Sequence, residues 1–338
     1  MLTGRKEVRL EDRPEPEARP GWVVVRLASA SLCGTDQHQY DGRIATPYPR
    51  VPGHDFAGTV ESVGEGVDDA VVGETFAIKP SVPCGECAAC EAGHLRDCTR
   101  KRLMGLWLDG CLAEKVEVPR VNLVPVPDGV EPWQASLLEP LAVAFNAVDR
   151  LQIRLGDTVV VLGQGPIGLA LTRMCALSGA GRLVVTDARE DPFEVSRAYG
   201  ATDCLDVRST DVQQAVADMT DGVGADVVIE TSGYPSSSAL LLPLTRKEGK
   251  ACHIGWADDL PPLDVKTIMK QTLTVFGVGG NGGRGQYERS LELIRSGRID
   301  LEPVVTHRYS LDEVADAFTT MDTKAGGAIK VLVGPPRG

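Results

Sequence analysis

The chain has 338 residues, enough for two domains with separate cores, and its 43% hydrophobic and 24% charged content is that of an ordinary globular protein. A net charge of −12 speaks against a nucleic-acid or anionic-membrane surface, and no run approaches the roughly 18 apolar residues of a membrane span. The first twenty residues are charged and lack an apolar core, so no export signal is expected there and the cytoplasm is the expected compartment.

In chain order, Glu7–Asp12 and Trp22–Leu27 read as strands joined by a Pro/Glu-rich turn. Residues 28–40 carry Cys33-Gly34-Thr35-Asp36-Gln37-His38. A proline-punctuated loop then leads to Gly53-His54-Asp55 and a strand over Phe56–Val63. Cys84, Cys87 and Cys90 follow at CxxCxxC spacing, with Cys98 seven residues beyond. In a reducing compartment, four cysteines within fifteen residues of a nine-cysteine chain point to a metal rather than to disulfides. Four soft ligands with no open position suit a structural zinc ion. Val116–Val126 supplies more strand, and a helix runs from the Leu137–Ala144 segment to about Leu151. Residues 1 to about 140 thus read as β-rich.

From Thr158 strands and helices alternate. Strands are expected at 158–162, 183–186, 203–206, 226–230, 250–254 and 272–276, which makes a parallel doubly wound sheet. After the first of them comes Gly163-Gln164-Gly165-Pro166-Ile167-Gly168. In such a turn the first glycine permits the tight bend, the second admits a pyrophosphate to the backbone, and the third lets helix and strand pack closely. Asp187 ends the second strand nineteen residues after Gly168, where a carboxylate meets ribose hydroxyls. A dinucleotide is therefore expected on Gly163, Gly165, Ile167, Gly168, Asp187, Arg189 and Thr231. Asp187 favours NAD, since it would repel a 2′-phosphate, while Arg189 leaves NADP open. The glycine-rich loop 277–285 either lines the nicotinamide end or is a surface loop. Helices near 286–296 and 311–321 and a strand Ile329–Val333 complete the chain.

Cys33, His54 and Glu139 would together offer three ligands and one open position, the requirement of catalytic zinc, although their spacing does not establish that they meet.

These motifs in combination, CGTDxH, GHD before a strand, CxxCxxC-x₇-C, LEPLAVA and VLGQGPIG, resemble the zinc-dependent medium-chain alcohol dehydrogenases. The chain is most similar to the polyol, sorbitol and threonine dehydrogenase branch, in which a glutamate of the EPLA segment replaces a cysteine ligand. The resemblance implies an α/β protein with two domains. A GroES-like β-rich catalytic domain would span 1–140 and 284–338 and hold two zinc sites. A doubly wound parallel-sheet Rossmann domain would span 141–283. By position, Cys33, His54 and Glu139 would hold catalytic zinc, and Cys84, Cys87, Cys90 and Cys98 structural zinc. Asp55 stands where the family has glutamate and is either a ligand or a group behind the ligands, one methylene shorter. Thr35 would accept the hydrogen bond of the substrate hydroxyl and His38 would pass its proton to solvent. Pro192 takes the place of a basic residue common in the family, which bears on NAD against NADP. The implied reaction is hydride transfer between a small polar secondary alcohol, or its ketone, and NAD or NADP. The implied assembly is a homodimer or homotetramer. Trp107 and Leu108 either wall the substrate pocket or belong to the core. Two other readings are a zinc-free reductase of activated double bonds on the same fold, and a non-catalytic NAD-binding redox sensor.

Overall fold

The computed structural model describes residues 1–257, 259–280 and 285–336. The chain divides into two compact units, one built from 1–139 with 283–338 and the other from 140–282.

The first unit is organised around the strand Trp22–Ser31, whose apolar residues are buried on both faces. It pairs antiparallel with Asp55–Val63 on one side, with Lys115–Pro119 along its first half, and with Lys330–Gly334 at its end. The seven-stranded sheet continues through Thr75–Ile78 and Leu123–Pro125 at one edge and Val305–Ser310 at the other. Val23, Val25, Leu27, Phe56, Phe76, Val116 and Phe318 fill its core. Three stretches depart from expectation for local reasons. Within Glu7–Asp12 only Glu7–Val8 is strand, because its one partner among the described strands, Leu2–Gly4, is three residues long. Val116–Val126 is two strands split by a turn at Arg120–Asn122, and buried Asn122 ties that turn to the segment after Thr75–Ile78 by donating to the carbonyls of Lys79 and Ser81. The strand Val305–Ser310 has no apolar run and was not expected; it pairs parallel with Lys330–Gly334.

The second unit is a six-stranded, all-parallel sheet. Across the sheet the strands run Asp203–Asp206, Arg182–Asp187, Thr158–Leu162, Ala225–Glu230, Thr245–His253, Thr274–Gly277. In order of sequence that is 3-2-1-4-5-6, the doubly wound order, and ligands bind such sheets where the order reverses, at the carboxyl ends of strands 1 and 4. Leu162 and Glu230, the last residues of those two strands, lie opposite one another. The central residues of Thr158–Leu162, Arg182–Asp187 and Ala225–Glu230 are apolar and buried, as burial on both faces requires, whereas Thr245–His253 is apolar only toward its end. The fifth strand begins five residues earlier than expected. Of the glycine-rich loop, residues 281–284 lie outside the described residues.

Candidate active site

In the first unit the sheet register sets the chemistry. Asp55 opens its strand opposite Ser31, and the amide of Leu32 donates to the carbonyl of Val331. The residues on either side of Ser31 are therefore brought against the start of the Lys330–Gly334 strand. Cys33 then caps a short helix, Gly34–Tyr40. The ligand atoms of Cys33, His54 and Asp55 all lie within 4.8 Å of one another. His54 and Asp55 are buried and Cys33 half-buried. One carboxylate behind them does the orienting: buried Asp36 accepts from the amides of Cys33 (2.8 Å) and Gly53 (3.1 Å) and lies 3.3 Å from His54 Nδ1. A carboxylate behind a ligating imidazole fixes its ring and its basicity.

Lys330 lies in the same nest, 1% exposed, with Nζ 3.1 Å from Asp55 Oδ2. Burial alone would lower its pKa, yet the charges of Asp55 and Cys33 hold it above the usual lysine value. For His54, burial is likewise outweighed by Asp36 and Asp55, and its pKa is raised. Asp36 is held below the usual carboxylate range: burial opposes this, and the His54 ring and the Cys33 amide prevail. Glu139, in the first turn of the Leu138–Leu151 helix, is half-buried and stands outside the tight group. Its carboxyl is pushed up to about 7 by burial and by the charge of Asp55, against the opposing pull of His54 and Lys330. A nest with that many acidic groups, and with buried Asp55 Oδ1 lacking a hydrogen-bond partner among the described residues, has the donor set and the unmet polar atom that suit a divalent cation.

Thr35 and His38 lie three residues apart on the short helix, hence on one face, and both are half-buried. Trp107 is 54% exposed, while Leu108 packs against the core of the first unit. The loop carrying them is pressed on the segment before His54. A methyl group at Gly110 would come within 2.2 Å of the Gly53 carbonyl oxygen.

The four sulfurs of Cys84, Cys87, Cys90 and Cys98 form a second compact group, with Cys87 and Cys90 sulfurs 3.5 Å apart and those of Cys84 and Cys90 4.0 Å. Four sulfurs at ordinary zinc–sulfur bond lengths in a tetrahedron would be separated by about 3.8 Å. The group fits that shell. The amide of Cys90 lowers the Cys87 thiol to about 6, whereas burial and the Cys87 thiol push Cys90 up to about 11. Without a cation Cys90 resists becoming a thiolate.

In the second unit Gly163 turns with φ +96°, and a side chain there would strike Ser232. A methyl group at Gly168 would come within 2.0 Å of the Gly163 carbonyl oxygen, whereas one at Gly165 would meet nothing within 4 Å. The turn is thus closed behind Gly163 and Gly168 and open at Gly165, a cradle of the kind a pyrophosphate fills. Ile167 opens the first turn of the Pro166–Leu177 helix. Thr231 ties the facing turn down, its hydroxyl bonded to the carbonyls of Leu162 (3.1 Å) and Gly163 (3.0 Å). Asp187 accepts one amide at each oxygen, from Gln164 (2.8 Å) and Arg189 (2.9 Å), and each oxygen keeps capacity for a hydroxyl. The Arg189 side chain lies 3.7 Å from Asp191.

Sequence reasoning assigned no role to Asp36, although it sits inside the CGTDxH motif, and missed Lys330. The signal for Lys330 was present: a lone charge in the apolar strand IKVLV.

Fold and motifs define a zinc-binding oxidoreductase class, and comparison with known proteins narrows it. Residues 19–128 match the alcohol dehydrogenase GroES-like domain and residues 166–296 the zinc-binding dehydrogenase family. The chain is 34% identical to the L-threonine 3-dehydrogenase of Bacillus subtilis, over 96% of this chain and 94% of that one. It is 29% identical to the sorbitol dehydrogenase of the same organism, over 100% and 97%. A crystallised Sinorhizobium meliloti 1021 protein bound to NADP superimposes with a TM-score of 0.90, at 29% identity, over 98% of this chain and 97% of that one. The chain belongs to the zinc-dependent medium-chain alcohol dehydrogenase superfamily, in its polyol and threonine dehydrogenase branch.

Proposed function

We propose that this chain is a zinc-dependent dehydrogenase that moves a hydride between a small polar secondary alcohol and NAD or NADP. In this reading residues 1–139 with 283–338 form the catalytic domain and residues 140–282 hold the dinucleotide. The observation that carries it is the convergence of Cys33, His54 and Asp55 on one buried point, backed by Asp36 and Lys330. Cys33 and His54 would hold the catalytic metal, with Asp55 or Glu139 as the third protein group. Cys84, Cys87, Cys90 and Cys98 would hold the structural one. When bound, catalytic zinc supplies a Lewis acid that makes an alcohol acidic near neutral pH. The chain's own groups do the rest. Asp36 keeps Cys33 and His54 in place. Thr35 accepts the hydrogen bond of the substrate hydroxyl, and His38, on the same helix face, takes the proton toward solvent, general acid–base work of about 10² to 10⁴ in rate. Gly165 and the helix start at Pro166 receive the pyrophosphate, Asp187 the adenosine ribose, and Thr231 holds the turn that faces them. Asp187 supports NAD, and the NADP complex of the relative keeps NADP in the panel. A cytoplasmic homodimer or homotetramer belongs to the same reading. Among the described residues no helix is long and apolar enough to cross a membrane.

The test is NAD(P)H formation by zinc-replete protein across sugars, other polyols, aminocyclitols, threonine and simple alkanols, with each dinucleotide. Turnover on one polar class that disappears in Cys33→Ala, together with two zinc ions per chain, is the expected result. One zinc ion per chain and no turnover on any alcohol of the panel would instead favour the zinc-free reductase of activated double bonds.

A further inference from the structure

The carboxyl edge of the parallel sheet holds a buried acid that none of the chemistry above uses. Glu230 ends the fourth strand with 0% exposure. Its Oε1 accepts three hydrogen bonds from the turn that follows: from the Ser232 amide (2.8 Å), the Ser232 hydroxyl (2.5 Å) and the Gly233 amide (3.0 Å). Its Oε2 has no hydrogen-bond partner among the described residues, and His253 Nε2, at the end of the fifth strand, lies 3.3 Å away. The same nitrogen is 3.0 Å from Ser238 Oγ, on the helix Pro235–Leu240. The Glu230 backbone carbonyl accepts the amides of Ile254 (2.8 Å) and Gly255 (3.2 Å). One residue therefore gathers the turn after the fourth strand, the helix beyond it and the exit of the fifth strand.

That turn is the wall of the glycine cradle. A methyl group placed on Gly163 would come within 2.8 Å of Ser232 Cβ, and one on Gly168 within 3.0 Å of the Thr231 hydroxyl. We infer that Glu230 is a positioning residue for the dinucleotide: by tethering Ser232 and Gly233 it holds the 231–233 turn against the glycine turn in the conformation that binds. This rests on the dinucleotide reading above. The burial of a carboxylate at the place where phosphates are expected argues for a definite role, since an acid is a costly way to fill a strand end. Three donors on one oxygen show the role to be a tether, and His253 Nε2 stands beside the other oxygen.

The experiment is titration of the zinc-replete protein with NADH, without alcohol, followed by nucleotide fluorescence and by calorimetry. Steady-state kinetics follow on any substrate found. Glu230→Ala removes the acceptor and is expected to weaken NADH binding about 10- to 100-fold, since hydrogen bonds to charged acceptors are among the stronger ones. The KM for the dinucleotide should rise with it while kcat at saturation stays within about 2-fold. Glu230→Gln keeps a carbonyl acceptor for the same three donors and is expected to restore affinity to within about 3-fold of the parent. Affinity unchanged in Glu230→Ala would overturn the inference, as would a Glu230→Gln variant no better than Glu230→Ala. If Glu230→Ala loses its circular-dichroism spectrum, Ser232→Ala decides: it removes one of the three donors and should weaken NADH about 3- to 10-fold, and unchanged binding there overturns the tether. Failure of the parent protein itself to bind NADH or NADPH refutes the dinucleotide reading rather than this one.

Discussion

Lys330→Met tests the electrostatics of the buried nest. The substitution keeps most of the aliphatic bulk and deletes, among the described residues, the only lysine or arginine paired with Asp55. Asp55 and Lys330 are 0% and 1% exposed at the side chain, with Nζ and Oδ2 3.1 Å apart. Among the described residues the weaker contact from the Ser31 hydroxyl, at 3.5 Å, is the remaining donor to that oxygen. Removing one partner of a buried pair typically costs about 3–5 kcal/mol, because the other charge stays desolvated and unpaired. Asp36 adds to the repulsion, since it too helps hold the lysine protonated. For a unit of this size each kcal/mol lowers the melting temperature by about 2–4 °C, so Lys330→Met should melt roughly 6–20 °C earlier. The assay is thermal unfolding of metal-stripped protein by circular dichroism, with Lys330→Met/Asp55→Asn alongside. The double variant has no unpaired charge and should recover most of the loss. A single variant within about 1 kcal/mol of the parent, or a double variant no better than the single, would refute the argument that the pair is a mutually dependent charge couple.

Three further outcomes follow from the geometry. Gly165→Ala should leave the melting temperature almost unchanged, because Gly165 has φ −67° and open space around it, yet NADH affinity should fall at least tenfold; a variant that binds normally would mean the cradle is not the phosphate site. Gly168→Ala should lose both, since its methyl group would overlap the Gly163 carbonyl oxygen. Glu139, pushed up to about 7 in the folded metal-free protein, stabilises that form while it is protonated. Its contribution is complete below the unfolded value of about 4.3 and is lost as the pH rises through about 7, so metal-stripped Glu139→Gln should show a flatter stability profile over that window in denaturant titrations.

Much of this molecule was legible in its sequence, and for identifiable reasons. The parallel strands announced themselves as β-branched runs, and the glycine turn by a spacing that only a tight backbone satisfies. The four-cysteine lobe was visible because a metal shell compresses its ligands into a short segment. What escaped depends on register. Lys330 stands more than 270 residues from Asp55, and only the pairing of three strands brings them together. Glu230 reads as an ordinary strand-ending acid until the turn folds back on it. The unforeseen strand Val305–Ser310 is half-exposed and polar, and its place comes from the neighbour it pairs with rather than from its own pattern.

The strand that carries Lys330 is made long after the strand it pairs with. The residues of 140–282 are contiguous and can close their sheet as soon as they leave the ribosome. The first unit cannot: its strand Trp22–Ser31 must wait, with one end unpaired, for Lys330–Gly334. An unpaired sheet edge is a template for mispairing. Until Lys330 has been made Asp55 therefore lacks its counter-ion, so the buried nest around Asp55 is completed only after that strand has paired. Long-range closure of this kind slows folding and favours a chain in which the self-contained unit folds first.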